Sequence, residues 1–91
     1  MVTWAYIFIN TRHPKRTVAK IRKLAGVIHA DALFGSPDIV AIVKGRDVAE
    51  MDAVIDRIAE IKEITSTDSK VARWLDGIGP PEPSSSYKRR T

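Results

Sequence analysis

Residues 34–43 read Phe34-Gly35-Ser36-Pro37-Asp38-Ile39-Val40-Ala41-Ile42-Val43, FGSPDIVAIV, a glycine-proline turn running into an unbroken apolar segment. Glycine admits positive φ, proline presets φ for a bend, and aspartate accepts hydrogen bonds from nearby backbone N–H groups, so the turn joins two strands as a hairpin. The same residues carry a second reading. A glycine lets a ligand approach the backbone, and Asp38 presents a carboxylate to an ammonium group; spacing alone does not separate the two. The strand that follows, Ile39 to Val43, is apolar on both faces, which a sheet with one wet face does not require.

Working outward, Val27 to Phe34 reads as the strand before the turn. Ahead of it, Pro14 suits the first turn of a helix, Val18, Ile21 and Leu24/Ala25 recur at helical spacing, and Gly26 supplies the left-handed stop. Asn10 to His13 reads as a polar loop. Val2 to Ile9, VTWAYIFI, is aromatic and β-branched and forms the first strand. It too is apolar on both sides, with Val2, Trp4, Tyr6 and Phe8 on one and Ala5, Ile7 and Ile9 on the other. Downstream, Asp47-Val48-Ala49-Glu50 has capping-box spacing and opens a second helix. Its predicted buried stripe is Val48, Met51, Val54/Ile55, Ile58 and Ile61. Ile64 to Ala72 forms a polar-apolar fourth strand. Residues 73–91, rich in Pro, Ser and Gly with a basic end, read as a flexible tail after a 1–72 domain.

The order β-α-β-β-α-β predicts an α+β, ferredoxin-like fold: a four-stranded antiparallel sheet with both helices on one face. The other face is apolar on two strands and has no third layer to cover it. A second copy packing sheet against sheet is the economical cover, so the chain is expected to dimerise.

Composition narrows the function. Ninety-one residues make one small domain. The absence of cysteine removes disulfides and thiolate metal sites and points to a reducing cytoplasm. No apolar stretch reaches the ~18 residues of a membrane span, and the start lacks the pattern of a signal peptide. The net charge of +4 is mostly a basic segment, Arg12 to Lys23, offset by an acidic one, Asp47 to Glu63. That basic segment reads as a solvated face beside the acidic second helix. Direct nucleic-acid binding is not expected, since the third strand brings no aromatic to a stacking platform. His13 and His29 have no second ligand at usable spacing. No catalytic order of residues can be assembled, so neither an enzyme nor a cofactor is expected. The remaining polar cluster is Thr65-Ser66-Thr67-Asp68-Ser69, which reads either as a wet strand or as hydroxyls for a small polar ligand.

FGSPDIVAIVKG followed by DVAEMDAVIDRIAEI, with the ending IKEITSTDS, resembles the effector-binding half of the Lrp/AsnC regulators, often called the RAM domain. The likeness covers about residues 2–72. The family's Gly-x-x-Asp is matched by Gly35 and Asp38, and its later hydrophobic-x-x-Thr-x-Thr by Ile64, Thr67 and Ser69. Two positions depart: Pro37 stands where an aromatic is common, and Ser69 replaces threonine. The start at the module itself resembles the stand-alone form without a DNA-binding domain. The resemblance implies a homodimer that can assemble into an octamer. It also implies an amino acid or similar effector bound between dimers by Gly35, Asp38, Thr67 and Ser69, with Ser36 beside them, acting on transcription indirectly. Two other readings stand: a structural co-assembly partner of full-length regulators, and a small dimeric ferredoxin-like enzyme using His29, Asp31 or Asn10. An ACT domain shares the strand order, but its glycine-rich loop is replaced here by NTRHPK.

Overall fold

Alternating apolar residues pair into a sheet, and two amphipathic segments close one side of it. In the computed structural model, which describes residues 2–72, the chain runs β1 (Thr3–Thr11), α1 (Pro14–Arg22), β2 (Val27–Ala32), β3 (Ile39–Gly45), α2 (Val48–Ala59) and β4 (Ile64–Val71). The sheet order is β2-β3-β1-β4, and every neighbouring pair is antiparallel. Each helix therefore carries the chain over one intervening strand, the ferredoxin-like arrangement expected from the sequence. The expectation of a tail at 73–91 lies outside the described residues.

The core lies between the helices and one sheet face. Ala5, Ile7 and Ile9 of β1, Ile39, Ala41 and Val43 of β3 and Ala30 of β2 meet Val18 and Ile21 of α1 and Met51, Val54 and Ile58 of α2. α1 ends at Arg22 with Lys23 as its cap, short of the Leu24/Ala25 expected from the sequence. Gly26, with φ +91°, lies in the turn that leads into β2, where the Val27 N–H donates to the Leu24 carbonyl at 3.3 Å. A Cβ on Gly26 would strike the Val54 side chain, so the glycine lets α2 pack close, but it does not stop α1 as the sequence reading expected. α2 begins at an Asp47 cap whose carboxylate accepts the Glu50 N–H at 2.8 Å. The Glu50 side chain reaches back to the Arg46 N–H at 2.9 Å, one residue earlier than the capping box predicts.

Three further details differ from the sequence reading. Val48 is exposed, because the first residue of α2 precedes the turn that meets the sheet; the buried stripe is Met51, Val54 and Ile58. β2 stops at Ala32, where the Leu33 N–H donates to the Asp38 carbonyl at 2.7 Å and closes the connection, leaving Phe34 fully exposed. β1 continues through Asn10 to Thr11, which pairs with Ile64 after a register shift.

Candidate functional site

The GSPD turn is tied into the sheet by its aspartate. Gly35 has φ +97°, and a Cβ on it would meet nothing within 4 Å, so backbone conformation alone asks for glycine. Gly35 and Ser36 are exposed, whereas Asp38 is half-buried. The Asp38 N–H donates to the Ile9 carbonyl at 2.9 Å, and its carboxylate Oδ2 accepts the Thr11 N–H at 2.9 Å. Asp38 thus holds the end of β1 against the start of β3. A hydrogen bond to a charged acceptor of this kind contributes about 1.5–3 kcal/mol. Among the described residues no group donates to Oδ1, so half of the carboxylate keeps its hydrogen-bonding capacity.

Beyond Thr11 lies a polar joint that the sequence reading missed. Thr11 and Thr17 are both buried. The Thr11 hydroxyl donates to the Glu63 carbonyl at 2.9 Å and accepts the His13 N–H at 3.2 Å. Its single proton is therefore used, and in the 2.8 Å contact with Thr17 the Thr17 hydroxyl must be the donor. The Glu63 side chain is only 11% exposed and sits against α1, with Lys20 Nζ at 2.8 and 2.9 Å from its two oxygens and Arg16 at 3.7 Å. Hydrogen bonding to Lys20 holds the Glu63 carboxyl below the usual glutamate range. The cations of α1 therefore pair with Glu63 and, through Arg22, with Asp31 of β2, so this face is partly tied down where the sequence reading had it solvated. No ion pair joins α1 to the acids of α2 among the described residues.

The hydroxyls of β4 divide between the two sheet faces. Thr67 pairs with Ile9 and Ser69 with Ile7, so both share the helix-side face at the open edge. Ile9 also pairs with Ile39 on its other side. Thr67, Ile9 and Ile39 thus form one row, which puts Thr67 about two strand spacings, ~10 Å, from the residue after Asp38. Ser69 lies one row further along, beside Ile7 and Ala41. Neither Thr67 nor Ser69 makes a side-chain hydrogen bond among the described residues, whereas Thr65 and Ser66 are bound to the Asn10 carbonyl and side-chain amide. Four of the five residues singled out from the sequence, Gly35, Ser36, Asp38 and Thr67, lie toward one end of the sheet, and Ser69 lies further along β4. His29 is paired with Asp31 at 2.6 Å on the exposed side of β2, and among the described residues no group of three His, Asp or Glu is placed to hold a metal ion.

On the face away from the helices stand Trp4, Tyr6 and Phe8 of β1 beside Val40 and Ile42 of β3. Trp4 is buried and has the Lys44 ammonium 5.9 Å from its ring centre; the other four are half-exposed. No helix of the described residues is long and apolar enough to cross a membrane.

Comparison with known proteins adds the rest. The family model described as the Lrp/AsnC ligand binding domain matches residues 5–73. Among curated proteins no sequence matches. Of solved structures, a protein from Thermus thermophilus superposes with a TM-score of 0.74 at 25% identity, covering 80% of this chain and 95% of that one. E. coli AsnC gives 0.71 at 24% identity, covering 88% of this chain and 56% of AsnC. A transcriptional regulator from Neisseria meningitidis, solved as its complex with L-Met, gives 0.68 at 18% identity, covering 93% of this chain and 58% of the regulator. The last two show the shared fold, and this chain spans little more than half of each.

Proposed function

From a chain that belongs to the Lrp/AsnC ligand binding domain family, we propose a sensor: an amino acid or similar small molecule binds where subunits meet, and its occupancy modulates transcription indirectly in the cytoplasm. The observation that carries the reading is the half-used carboxylate of Asp38. One oxygen is fixed by the Thr11 N–H, so the other is held in place without a rotamer cost to its ligand. It can take an ammonium group by a charge-assisted bond. Gly35 and Ser36 stand exposed beside it. Thr67 offers an uncommitted hydroxyl toward the same end of the sheet, and Ser69 offers another one row further along. The L-Met complex of the Neisseria regulator supports an amino acid as the ligand class.

The half-exposed Tyr6, Phe8, Val40 and Ile42 support a homodimer through the open sheet face, with dimers assembling further, up to an octamer, around the Asp38 end. A ligand held between subunits shifts assembly by mass action, which makes a sensor without covalent chemistry. The family's regulatory role and the hydrogen-bonded commitment of His29 favour this over an enzyme.

A panel of the twenty amino acids, read by thermal shift and by particle mass in solution, tests the proposal. One or a few amino acids should raise the melting temperature and change the mass. Asp38→Asn keeps an oxygen for the Thr11 N–H but removes the charge, so it should weaken that binding by about tenfold or more with the domain still folded. Unchanged affinity in Asp38→Asn rejects the site. A silent panel, with association intact, leaves the co-assembly partner as the better reading.

A further inference from the structure

We propose that a cavity at the start of α1 is a separate site for a small polyanion, of carboxylate or phosphate chemistry. The cavity has a volume of about 280 Å³ and is lined by Arg12, His13, Arg16, Lys62, Glu63 and Thr65. These residues come from three separate parts of the chain: the β1–α1 connection with the first turn of α1, the α2–β4 connection, and the beginning of β4. None of Gly35, Ser36, Asp38, Thr67 or Ser69 lines it, and the proposal does not rest on the sensor reading.

The charges around the cavity are out of balance. Arg12, Arg16 and Lys62 face a single carboxylate, Glu63. Both oxygens of that carboxylate are already engaged by Lys20 at 2.8 and 2.9 Å, and Arg16 reaches it only at 3.7 Å. Among the described residues Arg12 and Lys62 have no carboxylate within 4.0 Å. Three cations gathered at one opening repel one another, and an anion placed between them relieves that repulsion.

The end of α1 adds to the field. His13 makes no side-chain cap, Pro14 occupies the first turn, and no acidic residue is present there. The first hydrogen bond back into the helix is Thr17 N–H to the His13 carbonyl at 2.9 Å. The N–H groups of Lys15 and Arg16 therefore have no acceptor within the helix and stand at the positive end of its dipole. The Thr65 hydroxyl already donates to the Asn10 carbonyl and the His13 N–H to Thr11, so the side-chain donors left for a ligand are the two guanidinium groups, the Lys62 ammonium and the His13 ring. That set suits a ligand carrying two or three negative charges better than a zwitterion. The volume lies just below the usual range of small-molecule sites, about 300–1,000 Å³, and selects a small ligand.

Calorimetry on the full chain at fixed ionic strength, with inorganic phosphate, citrate, L-glutamate and L-glutamine as probes, tests the site. Phosphate or citrate should bind saturably, and whichever is tighter identifies the chemistry; L-glutamine should not bind here. The amide resonances of Arg12, Arg16, Lys62 and Thr65 should move on titration. The double variant Arg12→Ala/Lys62→Ala, at two exposed positions, should keep the wild-type melting temperature and lose at least about tenfold in anion affinity, while Asp38→Asn should bind the anion as before. The proposal is overturned if no probe anion saturates, if the double variant binds unchanged, or if Asp38→Asn loses the anion too, which would merge the two sites into one.

Discussion

Ile7 and Phe8 are neighbours on β1 with opposite surroundings. Ile7 is fully buried between the sheet and the helices, whereas Phe8 stands half-exposed on the far face beside Val40. The difference comes from the two-residue period of a strand, which hands alternate side chains to opposite faces. The chain supplies a cover for one set, α1 and α2, and leaves Tyr6, Phe8, Val40 and Ile42 of the other half-exposed. Ile7 and Phe8 are similarly apolar, so hydrophobicity along the strand does not tell them apart. Only the positions of the helices do. The closed face explains why the domain folds, and the open face why we assign it a partner.

The largest test of that contrast is on the closed face. Ile7→Ala should cost about 2–5 kcal/mol of unfolding free energy, measured by urea denaturation, and the loss should be independent of protein concentration. A loss below about 1 kcal/mol would mean the helix-side core is not what holds the sheet. A smaller effect of a different kind is expected on the open face. Phe8→Ser combined with Ile42→Ser should change the melting temperature little at high dilution. It should abolish the rise in melting temperature with protein concentration that the wild type is expected to show. If sedimentation gives the same mass for both proteins at micromolar concentration, the open face is not where copies meet.

How much of this is legible in the sequence follows from the range of each interaction. The element order and the Asp47 cap are set by residues within a few positions of one another, and both are readable. Gly26 reads as the stop of α1, yet the helix already ends at Arg22 and the glycine serves the turn into β2. The both-sided apolarity of β1 and β3 is readable. The polar joint is not. Thr11 reads as loop because it follows Asn10 in a polar run, yet its N–H is taken by Asp38, 27 residues away, and its hydroxyl by Glu63, 52 residues away. Thr17 carries a faint signal, falling beside Val18 and one helical turn before Ile21, on the buried stripe. The basic run on α1 suggests a solvated face, since nothing local shows that Lys20 folds onto Glu63, 43 residues away. Asp38 stands out as a candidate ligand residue by its turn; its structural bond to Thr11 becomes visible only with β1 beside it.

That joint sets the rim of the closed face and yields the smallest of the expected effects. Glu63 ties α1 to the start of β4 through Lys20, and its folded carboxyl titrates below the ordinary glutamate value. Because the folded pKa is depressed, the stabilisation is complete above the unfolded value of about 4.3 and is lost as pH falls through the folded value. Glu50 is depressed as well, chiefly by its hydrogen bond from Arg46, so acid loosens the wild type at two places. Glu63→Gln removes one of them and keeps an oxygen for Lys20 and the backbone carbonyl for Thr11. Its urea midpoint should sit slightly below that of the wild type at pH 7 and fall less steeply below about pH 4.3, so that the two curves converge in acid. Parallel curves through that range would show that the Lys20 contact adds nothing to folding, and that the rim of the closed face is held by the Thr11 and Thr17 hydroxyls alone.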